Sequence, residues 1–191
     1  TGPIEGQKPG TSGLRKKTRV FMEPHYLENF VAAIWAGTGG AAGKTLVVGG
    51  DGRYFNDRAV QVIIRMAAAE GTARLIIGQG GLLSTPAASN LIRTRGTDGG
   101  IILSASHNPG GPDADFGIKF NTANGGPAHE EVTGRIFEAT KTLTEYRITE
   151  GHDVDLTALG ETRFGDLVVE IVDPVADYAA LMETLFDFDA I

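Results

Sequence analysis

Apolar positions along the chain alternate between two periodicities. Thr45–Gly50, Arg74–Gly78, Gly100–Leu103 and Leu167–Val172 are short, nearly unbroken apolar runs bounded by small or polar residues, the pattern of strands buried on both faces. Between them lie stretches with apolar residues three and four apart. Phe30, Val31 and Ile34 mark a helix over Tyr26–Trp35. Val60, Ile63, Ile64 and Ala67 mark one from Asn56, read as its cap, through Glu70 to a stop at Gly71. Ser84-Thr85-Pro86 is a hydroxyl cap with proline in the first turn of a helix that carries Leu91 and Ile92 and ends by Gly96. Val132, Ile136 and Phe137 predict a helix over Glu130–Thr142, and Val175–Phe186 predicts another.

Three segments are less regular. A polar, glycine-rich opening from Gln7 is expected to run into an extended piece ending near Val20-Phe21. Phe116–Asn121 alternates apolar and polar, predicting a half-exposed strand that presents Lys119. Residues 150–165 read as an excursion without clear periodicity. Strand–helix alternation with apolar strands gives the fold class: α/β, a three-layer α/β/α sandwich around a mostly parallel mixed sheet, formed as a single domain over residues 1–191. Such sheets bind ligands at the carboxyl ends of their strands. The loops expected there are Gly49-Gly50-Asp51-Gly52-Arg53, Gly78-Gln79-Gly80-Gly81, and the stretch from Ser104 to Gly111.

Composition narrows the function. With 41% hydrophobic residues in 191, the chain can bury a core. A formal net charge of -7 argues against general nucleic-acid binding. There is no cysteine, so disulfides and thiolate metal sites are excluded. No apolar run approaches the roughly 18 residues that span a bilayer, and no basic-then-apolar leader opens the sequence. The expectation is a soluble, cytoplasmic domain with no membrane or nucleic-acid partner.

Two nucleotide signatures fail on spacing. Gly37-Thr-Gly-Gly-Ala-Ala-Gly-Lys-Thr45 puts Thr38 where a P-loop needs its first glycine, and it precedes a strand rather than following one. Gly78-Gln-Gly-Gly-Leu-Leu83 has leucine in place of the third glycine of a dinucleotide fingerprint.

Ser104-Ala-Ser-His-Asn-Pro-Gly-Gly111 is the stretch with chemical potential. A serine at the end of a buried strand, beside His107 and flexible backbone, is where an α/β protein would hold a reacting hydroxyl. The same pair, taken alone, reads as a turn that caps the next element. Upstream, Lys8, Arg15, Lys16, Lys17 and Arg19 make a locally basic loop with hydroxyls at Thr11 and Ser12, either a solvated arm or a phosphate cradle. Lys119 follows Ser106 by 13 residues and could return to the same pocket. Asp113 and Asp115 read as solvated, and no histidine–carboxylate cluster suggests an independent metal site.

Together Pro9-Gly-Thr-Ser-Gly-Leu-Arg15, Gly49-Gly-Asp-Gly-Arg53, Leu83-Ser-Thr-Pro86, Ser104–Gly111 and Phe116-Gly-Ile-Lys-Phe-Asn121 resemble the α-D-phosphohexomutase family. Asn124-Gly-Gly-Pro127 is most similar to its phosphoglucomutase branch. The resemblance implies a phosphoserine enzyme interconverting glucose 1-phosphate and glucose 6-phosphate through glucose 1,6-bisphosphate. Ser106 matches the serine that carries the phosphoryl group, one of whose oxygens binds Mg²⁺. His107 and Lys119 match positions for proton transfer and phosphoryl contact. Thr11, Ser12 and Arg15 match the loop lining that phosphate, and Asn108 lies in the same motif. Ser104 stands where threonine is frequent, which keeps the hydroxyl.

The resemblance further implies the first of four domains. The metal-binding Asp-x-Asp-x-Asp loop and the sugar-reading segments belong to the other three, which lie outside residues 1–191. Asp113-Ala-Asp115 and Asp187-Phe-Asp189 are each one aspartate short of that loop. The chain alone is therefore expected to lack turnover, with the remaining domains and a sugar phosphate as partners. A mutase for mannose or an amino-sugar phosphate, or a non-catalytic phosphosugar-binding relative, are the alternatives.

Overall fold

In the computed structural model, which describes residues 1–191, the apolar runs form the middle of one seven-stranded sheet. Strands β2 (Thr45–Gly50), β3 (Arg74–Leu82), β4 (Gly99–Leu103) and β7 (Leu167–Val172) pair in parallel. Three more are added antiparallel: β5 (Asp115–Thr122) on β4, β1 (Leu14–Lys17) on β5, and β6 (Gly160–Phe164) on β7. The order is β1-β5-β4-β2-β3-β7-β6, so every strand but β5 and β6 points the same way.

Period-two alternation sends neighbouring side chains into two separate cores. Leu46, Val48, Leu75, Ile77, Ile101 and Leu103 pack on one face under α2 (Tyr26–Gly37), α3 (Asn56–Ala69) and α5 (Glu130–Thr142). Val47, Ile76 and Ile102 point the other way, against Leu91 and Ile92 of α4 (Thr85–Thr94), with α6 (Ala176–Leu185) beyond. Three layers result. Burying each large aliphatic side chain contributes about 1.5–3 kcal/mol, which is why the three runs with large aliphatic residues on both faces, β4, β2 and β3, sit at the sheet's centre.

Chain path fixes where a ligand can sit. After β2 the chain crosses one face through α3 to reach β3. It then crosses the opposite face through α4 and enters β4 on the other side of β2. The loops leaving β2 and β4 therefore emerge side by side at the carboxyl ends of adjacent strands, where sheets of this kind bind ligands. Phe116, fully buried at the start of β5, ties this end together. Its ring meets Phe21 at 4.9 Å and Phe55 at 5.5 Å, both edge-on.

Several sequence expectations need correction. The extended opening ends at Lys17, and Thr18–Phe21 forms a short helix, α1, whose Thr18 N–H and hydroxyl both donate to the Ala114 carbonyl. Asn56 does not cap α3. Phe55 occupies the cap position with φ 78°, and the buried Asn56 amide instead donates to Gly81 O at 3.1 Å. The strand predicted to stop at Gly78 continues to Leu82, with a register shift between Val48 and Gly50 on its neighbour. Phe116–Asn121 is not half-exposed: β1 covers its outer edge, and only Lys119 of the six is not buried. Residues 150–165 supply β6 as well as irregular chain. The Ser84 cap forms as read, accepting from Ala87 N–H at 3.2 Å.

The crossing of α2 on α5 yields a paired test. A Cβ on Gly37, at the end of α2, would lie 2.7 Å from the backbone nitrogen of Ile136, whereas nothing approaches Gly134 within 4 Å. Gly37→Ala is expected to lower the unfolding free energy by about 1–3 kcal/mol through overpacking. Gly134→Ala should raise it by about 0.5–1 kcal/mol through lost unfolded-state entropy. Urea unfolding that ranks the two variants the other way would show that the helices do not meet this closely.

Candidate active site

β4 ends at Leu103, and the chain turns abruptly. Ser106 adopts the left-handed conformation, φ 58°, which costs a non-glycine residue roughly 1–2 kcal/mol. Local bonds hold it there. The Ser104 hydroxyl donates to Asp51 Oδ2 at 2.9 Å and accepts from the Ser106 N–H at 3.0 Å. Asn108 N–H closes a turn onto Ala105 O at 3.2 Å, and the Asn108 amide donates to Asp115 Oδ2 at 3.0 Å. Gly117 on β5 passes beneath: a Cβ there would drive into the Ser104 carbonyl, so only glycine lets the strand approach. Ser106 and His107 are left exposed at the crest, with Ser106 Oγ 3.3 Å from His107 Nδ1.

The loop's other anchor is Arg53. Its Nε and one terminal nitrogen bind the Asp51 carboxylate at 2.8–3.0 Å. Its remaining donors reach Asp115 O at 2.6 Å, Ser106 O at 3.0 Å and Asn108 O at 3.4 Å. The Arg53 side chain is only 6% exposed. Burial pushes the Asp51 carboxyl up, but the hydrogen bonds from Arg53 and Ser104 and the Arg53 charge prevail and hold it below the usual carboxylate range. Asp115 is also lowered, chiefly by its bond from Lys17.

Strand register gathers a second group. Arg15 lies opposite Gly117 and Lys119 opposite Ile102, so Arg15, Gly117 and Lys119 share the face away from the Phe116–Ile118–Phe120 core. The turn from Gly10 to Gly13 closes by two mutual backbone bonds of 2.9 and 3.1 Å and rests on this strand. A Cβ on Gly13 would meet Lys119 Cβ at 2.6 Å. Thr11 and Ser12 form the exposed tip. Lys17, Arg19 and Arg53 each have a carboxylate partner; Arg15 and Lys119 have none. Burial, and then the nearby Arg15 charge, lower the Lys119 pKa.

Of the seven residues singled out from the sequence, two sets are brought together: Ser106 with His107, and Thr11, Ser12 and Arg15 with Lys119. No hydrogen bond joins the sets; β5 connects them. Asn108 is spent inside the loop, on Asp115. Sequence reasoning gave Asp51 and Arg53 no role, although the Gly49–Arg53 motif at the end of β2 was the available signal. The Gly78–Gly81 stretch turns elsewhere, with Gly80 N–H on Leu156 O and the Gln79 amide on Thr157 O. A cleft of about 630 Å³ borders Arg53 on the side of Tyr54, Asn56 and Leu82 and includes none of the seven. No group of three or more histidines or carboxylates is gathered to hold a metal, and no helix is long and apolar enough to cross a membrane.

Comparison with known proteins gives a consistent result. Residues 6–147 match the phosphoglucomutase/phosphomannomutase alpha/beta/alpha domain I. The chain is 56% identical over its whole length to a phosphoglucomutase of Rhizobium radiobacter, covering 35% of that protein. It is 52% identical to the chloroplastic phosphoglucomutase of Arabidopsis thaliana, covering 31% of it. The crystal structure of the exocytosis-sensitive phosphoprotein pp63/parafusin, a phosphoglucomutase from Paramecium, superposes with a TM-score of 0.93 at 46% identity over 99% of this chain and 36% of that one. The chain thus spans about a third of the length of the curated relatives it matches.

The unpaired lysine carries a stability cost with a definite pH dependence. Its folded pKa lies below the unfolded value, so protonation opposes folding at neutral pH, and stability is regained as pH rises through the folded pKa. Lys119→Met should therefore stabilise the fold at pH 7, by on the order of 1 kcal/mol. Its advantage over the wild type should shrink as the buffer approaches pH 10. Denaturant unfolding at several pH values that finds Lys119→Met destabilised throughout would mean that the ammonium has a partner.

Proposed function

Because the chain belongs to the phosphoglucomutase/phosphomannomutase family, as its α/β/α domain I, we propose that Ser106 carries the phosphoryl group of an enzyme interconverting glucose 1-phosphate and glucose 6-phosphate. Phosphorylated Ser106 gives its phosphoryl group to the free hydroxyl of the bound sugar monophosphate. The Ser106 O–P bond breaks, a sugar O–P bond forms, and the proton leaving the sugar hydroxyl is balanced by one taken up at Ser106 Oγ. The product, glucose 1,6-bisphosphate, then returns its other phosphoryl group to Ser106 by the reverse exchange.

Such a transfer asks the protein mainly for position and charge neutralisation. Support for the reading is the coincidence of an exposed, conformationally fixed Ser106 with Arg15 and Lys119, two cations without carboxylate partners on the adjoining strands. Arg15 offers a planar fork to phosphate oxygens. Lys119, partly buried beside Arg15, gives up its proton more readily than a solvated lysine and can donate it to a phosphoryl oxygen, and His107 reaches Ser106 Oγ directly. Thr11 and Ser12 line the same side, and Asn108 keeps the crest of the loop in shape.

Mg²⁺ when bound would neutralise charge on the phosphoryl oxygens. The donors near Ser106 fit only a share in such a site. Asp51 and Asp115 are committed to Arg53 and Lys17, which leaves a phosphate oxygen on Ser106 as this chain's ligand, the others coming from outside residues 1–191. The same division assigns reading of the sugar, and hence turnover, to the full-length enzyme. The 191-residue chain alone is expected to be inactive. The cytoplasm is the compartment in this reading.

Intact-mass and phosphopeptide analysis of the full-length protein, purified without phosphatase, tests the proposal. Phosphate on Ser106 that transfers to glucose 1-phosphate is the expected result, with turnover of Ser106→Ala reduced more than about 10³-fold. A bare Ser106 that glucose 1,6-bisphosphate cannot charge would overturn it in favour of a non-catalytic phosphosugar binder.

A further inference from the structure

Arg53 is built unlike Arg15 and Lys119, which have no carboxylate partner. Its guanidinium is almost wholly enclosed, and Asp51 neutralises it at 2.8 Å. It therefore adds little attraction for an incoming dianion. What it does instead is collect carbonyls. Three backbone oxygens, those of Ser106, Asn108 and Asp115, turn inward onto its terminal nitrogens. Two of them belong to the loop that carries the reacting hydroxyl. An unclamped loop could rotate those peptide planes and present carbonyl oxygens to the phosphoryl group, where each would repel it.

Resting on the phosphoserine reading above, we infer that Arg53 is a positioning residue for phosphoryl transfer: it draws the loop carbonyls inward, so that Ser106 Oγ and the unbonded His107 N–H, rather than carbonyl oxygens, face the phosphoryl group. Geometry favours arginine here for a reason beyond charge. One planar fork spans the end of β2, the crest of the loop and the start of β5, as a single ammonium point cannot. The clamp works together with Ser104, whose hydroxyl binds the same Asp51 carboxylate and also the Ser106 N–H. Asp51 thus holds Ser106 from both sides of its peptide, through Ser104 at its N–H and through Arg53 at its carbonyl.

The test uses the full-length enzyme. Arg53→Ala and Arg53→Lys are expected to lower kcat for glucose 1-phosphate by about 100-fold, the penalty of misplacing a reacting group by roughly an ångström, with KM changed by less than about threefold. Hydrogen–deuterium exchange should accelerate in the peptide spanning 104–111, while circular dichroism stays that of the wild type. Added guanidinium ion should restore part of the Arg53→Ala rate, and ammonium ion should not. Where Arg53→Ala fails to fold, Arg53→Lys carries the same kinetic and exchange readouts. An unchanged kcat, or a raised KM at unchanged kcat, would overturn the inference, the latter by making Arg53 a direct substrate contact. A wild-type enzyme without phosphate on Ser106 defeats the phosphoserine reading and this inference with it. A phosphorylated wild type with a fully active Arg53→Ala defeats this inference alone.

Discussion

Five oxygens converge on the guanidinium of Arg53: both of the Asp51 carboxylate and the carbonyls of Ser106, Asn108 and Asp115. Removing a cation from water costs several kcal/mol unless a counter-charge and further hydrogen bonds replace its hydration. Here both are supplied, and the order of dependence is clear. Asp51 offsets the burial of Arg53; Arg53 fixes two carbonyls of the serine loop; the loop then tolerates the left-handed Ser106. The sign of the Asp51 linkage follows from its lowered pKa. Its contribution is present above the unfolded carboxylate value and is lost as pH falls through the folded one.

Charge is segregated with equal economy. The chain carries a net -7, and near the site Lys17, Arg19 and Arg53 are each matched to an aspartate. Arg15 and Lys119 have no such partner. Against an acidic background, two unmatched cations on one sheet face concentrate positive potential where a phosphate dianion would dock. Burial, with the neighbouring Arg15 charge second, disfavours the Lys119 ammonium and lowers its pKa. A stabilising anion partner is missing from this chain's own side chains, which is the usual trade between stability and function.

How much of this could be read from the residues follows from the range of the forces involved. The parallel core was legible because unbroken apolar runs and helical spacing are local signals. So was the Ser84 cap, which needs only the next three residues. Rejecting the P-loop reading was equally local. Gly37 closes α2 against Ile136, and the Lys44 ammonium donates to Thr38 O at 2.8 Å, within six residues. Asn56 misled because its amide has a tertiary use, on Gly81, 25 residues away, leaving Phe55 to take the strained cap. Arg53 was invisible for the same reason at longer range. Its partner carbonyls lie 53, 55 and 62 residues on, and no periodicity encodes them. The half-exposed reading of Phe116–Asn121 failed because alternation reports which side chains are polar, not whether another strand covers the edge.

Antiparallel return from β4 into β5 explains why Ser106 and Lys119 lie on one continuous loop-and-strand unit. A parallel neighbour would need a crossover of a dozen or more residues and would arrive with its other end at the site. The serine loop instead joins two adjacent strands, so it is tethered at both ends, and Lys119 comes back opposite Ile102. The register is guarded by Phe116, Ile118 and Phe120, all buried on the opposite face. A slip of one residue would drive Lys119 into that core and expose three large apolar side chains. At about 1.5–3 kcal/mol for each side chain left in water, the slipped arrangement is excluded by several kcal/mol before the charge of Lys119 is counted. The position of Lys119 on the same sheet face as Arg15 is thus set by hydrophobic residues on the other face.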